Sequence, residues 1–274
     1  MINVLSLGGG MQSSTLLEMS VEGELPRYDL IVFADTGNEP EAVYRHLEYL
    51  KTRASVSVVS IGNIYSDTLK NNRFASMPLY LKMPNGTRAI ARRQCTNEYK
   101  IQPIKRAVLD YLSVLGMARL DRSGAMRVTT RKHIINMHLG ISVDERQRMA
   151  PSRVLWQQNK YPLIEMDKTR GDCIAWLKEK SLPIPPKSSC IVCPYHNDEY
   201  WLSLTRGEFE SACQFDEQIR NRRTNWKATP YLHSSCIPLR DVKLSARVRP
   251  IQLAFATEVM FGKCKGNAGF SCFS

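Results

Sequence analysis

Residues Ile2 to Leu7 form a short apolar run that leads without a spacer into Gly8-Gly9-Gly10, and a helical pattern opens at Ser13. An apolar strand that stops on three glycines and restarts as a helix is the opening of a β-α unit, and it commits the chain to a sheet covered by helices. Consecutive glycines remove Cβ atoms, so the backbone can approach an anion. The helix that follows offers unpaired N–H groups and the positive end of its dipole. Ser6, Gly8, Gly9, Gly10, Gln12, Ser13 and Ser14 are therefore candidate phosphate contacts, the serines through their hydroxyls. The spacing is neither G-x-G-x-x-G nor a Walker A sequence, because no G-K-[ST] is present. A plain glycine-rich turn is the alternative.

The remaining chain extends this plan. Asp29 to Ala34, Val56 to Ile61 and Ile134 to Leu139 read as further buried strands, while Ser13 to Glu22, Pro40 to Arg53 and Tyr99 to Gly116 read as helices. Alternation of this kind predicts an α/β, Rossmann-like parallel sheet with helices on both faces over residues 1–165. Pro84-Asn85-Gly86 between two extended flanks predicts a basic hairpin inserted near 63–95. From 166 to 274 the pattern is mostly helical, with a Pro-rich turn at Pro183, Pro185 and Pro186 and no clear assignment for the last 35 residues.

With 274 residues, 43% of them hydrophobic, the chain is long enough for a core and is neither disordered nor collagenous. No stretch reaches the ~18 apolar residues of a membrane span, and no basic segment precedes the first apolar run, so no membrane association and a cytoplasmic protein are expected. The net charge of +12 is uneven: residues 63–132 hold 14 basic and 4 acidic side chains, against 4 and 8 in residues 1–62. A solvated face is the ordinary explanation. A polyanionic partner such as tRNA or DNA is the sharper one.

Several segments, in chain order, resemble the PP-loop proteins of the adenine nucleotide α-hydrolase group, which holds the N-type ATP pyrophosphatases and the phosphoadenosine phosphosulfate (PAPS) reductases. Ser6-Leu7-Gly8-Gly9-Gly10-Met11-Gln12-Ser13-Ser14 is similar to their phosphate loop. Asp35-Thr36-Gly37 with Pro40 and Tyr44 is similar to their DTG…P…Y segment, and Gly140 to Arg148 to their G-[IL]-x-x-D-x-x-x-R loop. Cys95 with Tyr99, Lys100 and Pro103, and the Cys190-x-x-Cys193 pair, look like the cysteine segments of the iron-sulfur members. Two departures stand out: Gln12 occupies the place of the usual loop Asp, and Gln94 precedes Cys95 where cluster-containing reductases have adjacent cysteines.

The resemblance implies an enzyme that binds ATP or PAPS, with Asp35 and Thr36 beside the nucleotide and Arg148 on a phosphate or sulfate. Asp144 is a candidate catalytic acid that could orient a magnesium ion or a ribose. Cys95, Cys190 and Cys193 become candidate ligands of a [4Fe–4S] cluster open at one iron, suited to sulfur transfer onto an adenylated substrate. Zinc is the alternative metal and a dithiol pair the metal-free one. A fourth ligand is open among Cys213, His196, Cys264 and Cys272. Cys264, between two lysines in the tail, is also a candidate nucleophile like the mobile cysteine of the PAPS reductases, which form the rival enzyme class. A catalytically silent nucleotide- or nucleic-acid-binding protein is a third reading, and a homodimer is open.

Other residues read as packing. His46, His133 and His138 form no metal-type pair, and Cys173 and Cys236 look structural. Trp201, Phe209, Phe215 and Trp226, interleaved with Arg206, Arg220, Arg222 and Arg223, suit helix cores better than base stacking.

Overall fold

The computed structural model describes residues 1–70, 77–130, 132–221 and 227–245. The chain runs β1 (Ile2–Leu7), α1 (Met11–Val21), β2 (Leu30–Asp35), α2 (Glu41–Arg53), β3 (Val56–Ser60), α3 (Ile64–Lys70), β4 (Tyr80–Lys82) and β5 (Arg88–Ile90). It continues through a π-helical turn (Asn97–Ile101), α4 (Gln102–Val114), β6 (Ala118–Leu120), β7 (Met126–Val128), β8 (Ile135–Leu139), a 3-10 turn (Val143–Arg148) and β9 (Gln157–Lys160). Then come α5 (Pro162–Glu165), α6 (Arg170–Glu179), α7 (Asp198–Ser203), α8 (Arg206–Asn221) and β10 (Thr229–Tyr231).

Five strands form one parallel sheet in the order β3-β2-β1-β8-β9. Side chains alternate along a strand, and β1 shows the result: Leu5 and Leu7 join a core with α1, α2 and α6, while Val4 joins another with Val108 and Leu112 of α4. Helices therefore cover both faces, as the sequence predicts. α2 buries Val43, His46, Leu47 and Leu50 at helical spacing, and carries Glu41 in its first turn and Lys51 and Arg53 in its last, which suits the helix dipole. α1 is buried along nearly its whole length, so it has no polar face to show in its sequence.

Three elements depart from expectation. β9 (Gln157–Lys160) is a fifth strand pairing with β8, and its all-polar sequence hides it because it lies at the sheet edge. The helix expected from Tyr99 opens with the wider π-turn before α4 begins. The predicted hairpin is present as β4 and β5, but β10 pairs with β4 to make a three-stranded sheet, and β6 with β7 adds a second hairpin.

Two compact units divide the chain. The larger comprises Met1–Tyr195 and Leu204–Val242. The smaller comprises His196–Ser203 and the chain from Lys243; within it Asp198 accepts a hydrogen bond from the Ser245 backbone and the His196 ring stacks on Tyr200. Among the described residues no helix is long and apolar enough to cross a membrane. Beyond α6 the regular structure is mostly helical, as expected.

Candidate functional site

The sheet order reverses at β1. From β1 the chain moves outward through β2 to β3, then returns to place β8 on the other side of β1. The carboxyl ends of β1 and β8 thus flank the crevice where open α/β sheets bind ligands. Both glycine segments of the sequence end there. Gly9 adopts φ +69°, and a Cβ on it would meet Phe33 at 3.1 Å and Val43 at 3.3 Å, so only glycine makes this bend. Gly140, just after β8, lies so close that a Cβ would come within 2.6 Å of the Ser13 backbone nitrogen.

Gly10 is the N-cap of α1 and gives no side-chain cap. The first N–H groups of a helix have no intrahelical acceptor, and no side chain caps this end. Ser13 and Ser14 do not face that mouth. The Ser13 hydroxyl accepts from the Gly8 N–H at 3.0 Å and donates to the Gly10 carbonyl, and Ser14, fully buried, bonds His46 Nε2 at 3.0 Å. Their hydroxyls therefore brace the loop from within. Burial pushes the His46 imidazole down to about 4, keeping it neutral against Ser14. Ser6 stays inside β1, level with Val32 and Leu139.

Around Gln12 a charged ring closes the crevice. Its amide nitrogen donates to Glu145 at 3.2 Å and to the Ser142 hydroxyl at 3.4 Å, and its oxygen accepts from Arg170 at 3.5 Å. Glu145 pairs with Arg148 at 2.7 Å. Asp144 accepts from the Arg170 backbone N–H at 3.1 Å. Burial would raise the Asp144 carboxyl, but hydrogen bonds from Ser142 and Arg170 hold it below the usual range. Gln12 is thus linked to Arg148 through Glu145 and to Asp144 through Arg170. Arg170 belongs to no recognised motif, although the Thr169-x-x-Asp172 capping box that starts α6 is a visible sign of where it points.

A second pocket lies after β2. Asp35 accepts from Tyr44 Oη at 2.9 Å and from the Gly37 N–H at 2.8 Å, which tightens the turn. Glu39 has a fully buried side chain and accepts from Thr36 (3.3 Å), Lys100 (3.3 Å), Ser188 (3.3 Å) and the Cys190 thiol (3.7 Å). Sequence reasoning misses its role because Glu39 stands between Asn38 and Pro40 and looks like a turn residue. The Cys-x-x-Cys segment docks on the same turn: Ile191 N–H donates to the Asn38 carbonyl and Val192 N–H to its side chain. Thr36 thus sits against Cys190, 3.0 Å away.

Burial pushes the Cys190 thiol up to about 12, and the Glu39 charge adds to this while Lys100 opposes it. Lys100 is held above the usual lysine range, burial working against its charge and Glu39 outweighing that. Cys193 is raised by burial and by Cys95, and lowered by Arg93. All three expected thiols therefore share one electrostatic neighbourhood. Their chemistry suits a soft metal, yet among the described residues no group of three or more His, Cys, Asp or Glu could hold a metal ion. Of the proposed fourth ligands, Cys213 is buried on α8, His196 stacks within its own unit, and Cys264 and Cys272 lie outside the described residues.

The packing expectations hold for Cys173, Cys236, Phe215 and Trp201, all buried. His138 is buried against Tyr28, and His133 bonds the Ile135 carbonyl. Trp226, Arg222 and Arg223 lie outside the described residues. Compared with models of known families and with curated proteins, the chain matches none.

Proposed function

We propose that this chain is an adenine-nucleotide-binding enzyme that activates a substrate by adenylation. The observation that carries the reading is the junction of the Gly8–Gly10 bend, the uncapped start of α1 and the Arg148 and Arg170 side chains at the sheet's switch point. Backbone amides and two guanidinium groups suit a polyphosphate, and Gln12 bridges the two arginine-bearing segments.

In the proposed reaction a substrate oxygen attacks the α-phosphorus of ATP. The bond from that phosphorus to the bridging oxygen breaks, pyrophosphate leaves with its electron pair, and the substrate oxygen becomes bonded to AMP. A nucleophile then displaces AMP. The chain's own part is to hold the phosphates and keep the leaving pyrophosphate's charge paired with Arg148 and Arg170. The net +10 of residues 63–132 supports a polyanionic substrate, tRNA or DNA.

Pyrophosphate release from ATP with and without added RNA or DNA tests this, with sulfite formation from PAPS and a thiol reductant as the comparison. Release that requires nucleic acid is the expected result. Sulfite without pyrophosphate would make the chain a PAPS reductase-type oxidoreductase instead. A metal cluster, if the protein carries one, would be held by Cys95, Cys190 and Cys193 and would supply the sulfur nucleophile. Iron, sulfide and zinc analysis of anaerobically purified protein addresses that question separately, through stoichiometric iron that Cys95→Ala and Cys190→Ala both lose.

A further inference from the structure

Two hairpins place like charges face to face. In the β4–β5 pair Lys82 stands directly opposite Arg88, and in the β6–β7 pair Arg119 stands opposite Arg127. Directly opposed residues have Cβ atoms about 5 Å apart on one face, and like charges there destabilise the ladder. Arg127 is relieved by Asp121 at 2.9 Å. Lys82 and Arg88, both exposed, have no carboxylate within ion-pair distance among the described residues. A hairpin whose only requirement was to fold would place an acid at one of these positions.

The face that carries this pair leads to the thiols. Residues two apart share a strand face, so Tyr80, Lys82, Arg88 and Ile90 lie together, with Tyr80 opposite Ile90. The Tyr80 phenol is raised by burial and by the nearby charges of Tyr195, Cys193 and Cys236. Lys82 and Arg88 in turn act on Cys236. Just past β5, Arg92 and Arg93 are exposed, and the Arg93 guanidinium lies over the Tyr195 ring, 5.3 Å from its centroid. Tyr195 is 48% exposed, a large planar ring in open water beside Cys193.

We propose that Lys82, Arg88, Arg92 and Arg93 with Tyr195 form a docking surface for single-stranded nucleic acid. The four cations take successive backbone phosphates. Tyr195 offers a face on which a base stacks, with Arg93 adding to the platform. The strand lies along the β4–β5 hairpin and ends on the Tyr195 ring beneath Arg93. What the strand is for rests on the adenylation reading; its binding does not.

The test is fluorescence anisotropy with a labelled 20-nucleotide single-stranded RNA, the same sequence as DNA, and the DNA duplex, each without ATP and over a range of salt. Single strands should bind, with log Kd changing by about 0.7 per unit log salt for each phosphate contact. Lys82→Ala with Arg88→Ala should reduce that slope by about two contacts, and their melting temperature should hold or rise because the opposed charges are gone. Tyr195→Ala should weaken binding roughly tenfold. The control pair Arg45→Ala with Lys51→Ala on α2, which removes the same charge, should leave both unchanged.

Equal losses in the control pair, or a duplex bound more tightly than the single strands, would overturn the surface. Comparison of the RNA and DNA arms identifies which strand is preferred. An ATP titration on the same samples separates the two claims: loss of strand binding with ATP still bound sinks the docking surface alone.

Discussion

The two pockets at the carboxyl edge of the sheet are built in opposite ways. The glycine crevice is made of backbone: bare amides at the start of α1, a left-handed Gly9, and Gly140 pressed against Ser13. The pocket after β2 is made of side chains drawn from three distant segments, Thr36 with Glu39, Lys100, and Ser188 with Cys190, around one buried carboxylate. A backbone site keeps its shape through the fold and tolerates side-chain exchange. A site built from side chains depends on every member. The difference gives the two pockets separate failure modes.

Glu39→Ala should give the largest effect. It leaves Lys100 facing cysteines with no carboxylate and removes the acceptor shared by three hydroxyl or thiol donors. Partners of buried ion pairs cost about 3 kcal/mol when stranded, and urea unfolding should show a loss of that order. Glu39→Gln should recover part of it. If Glu39→Ala unfolds like the wild type, the carboxylate is not the hub described.

Gly140→Ala comes next, at about 2 kcal/mol, because its methyl group would overlap the Ser13 backbone and the loop must shift. Its sharper signature is loss of ATP binding at temperatures where the variant is still folded. Arg170→Ala should be smaller: stability within about 0.5 kcal/mol, and ATP bound roughly tenfold more weakly as one charged hydrogen-bonding group is lost. An unchanged Kd would remove Arg170 from the site.

A pH dependence comes last, because near neutral pH it is small and it grows only as the solution becomes acidic. His46 is held neutral in the fold, its ionisation pushed down to about 4 from 6.5. Between those values the unfolded chain takes up a proton that the folded chain does not, so stability should be full above pH 6.5 and fall as the pH drops toward 4. His46→Gln should flatten that part of the urea midpoint profile. The glycine crevice, which His46 braces through Ser14, should weaken its grip on ATP over the same window.

The contrast between the pockets also explains which parts of the molecule are legible in the sequence. β1, β2, β3 and β8 are apolar and bounded by turn residues, and a glycine bend is spelled out in consecutive letters, so the crevice shows in the linear pattern alone. β9 is hidden because Gln157-Gln158-Asn159-Lys160 carries no apolar signal at a sheet edge. Glu39 gives no local sign of its role, since its partners Lys100 and Cys190 lie 61 and 151 residues away and no short-range pattern brings them together. Arg170 acquires its place only because α6 begins under the loop. The serine hydroxyls show the same limit: in sequence they border the glycine loop, and only the fold shows that one turns back on Gly10 and the other bonds His46.

The central claim is that the crevice between β1 and β8 grips a nucleotide. Isothermal titration calorimetry of the intact protein with ATP, and with PAPS as the alternative ligand, tests it directly. One nucleotide bound per chain, weakened in Arg170→Ala and lost in Gly140→Ala, is the predicted outcome. Heats no larger than dilution for both ligands, up to millimolar concentration, would contradict it.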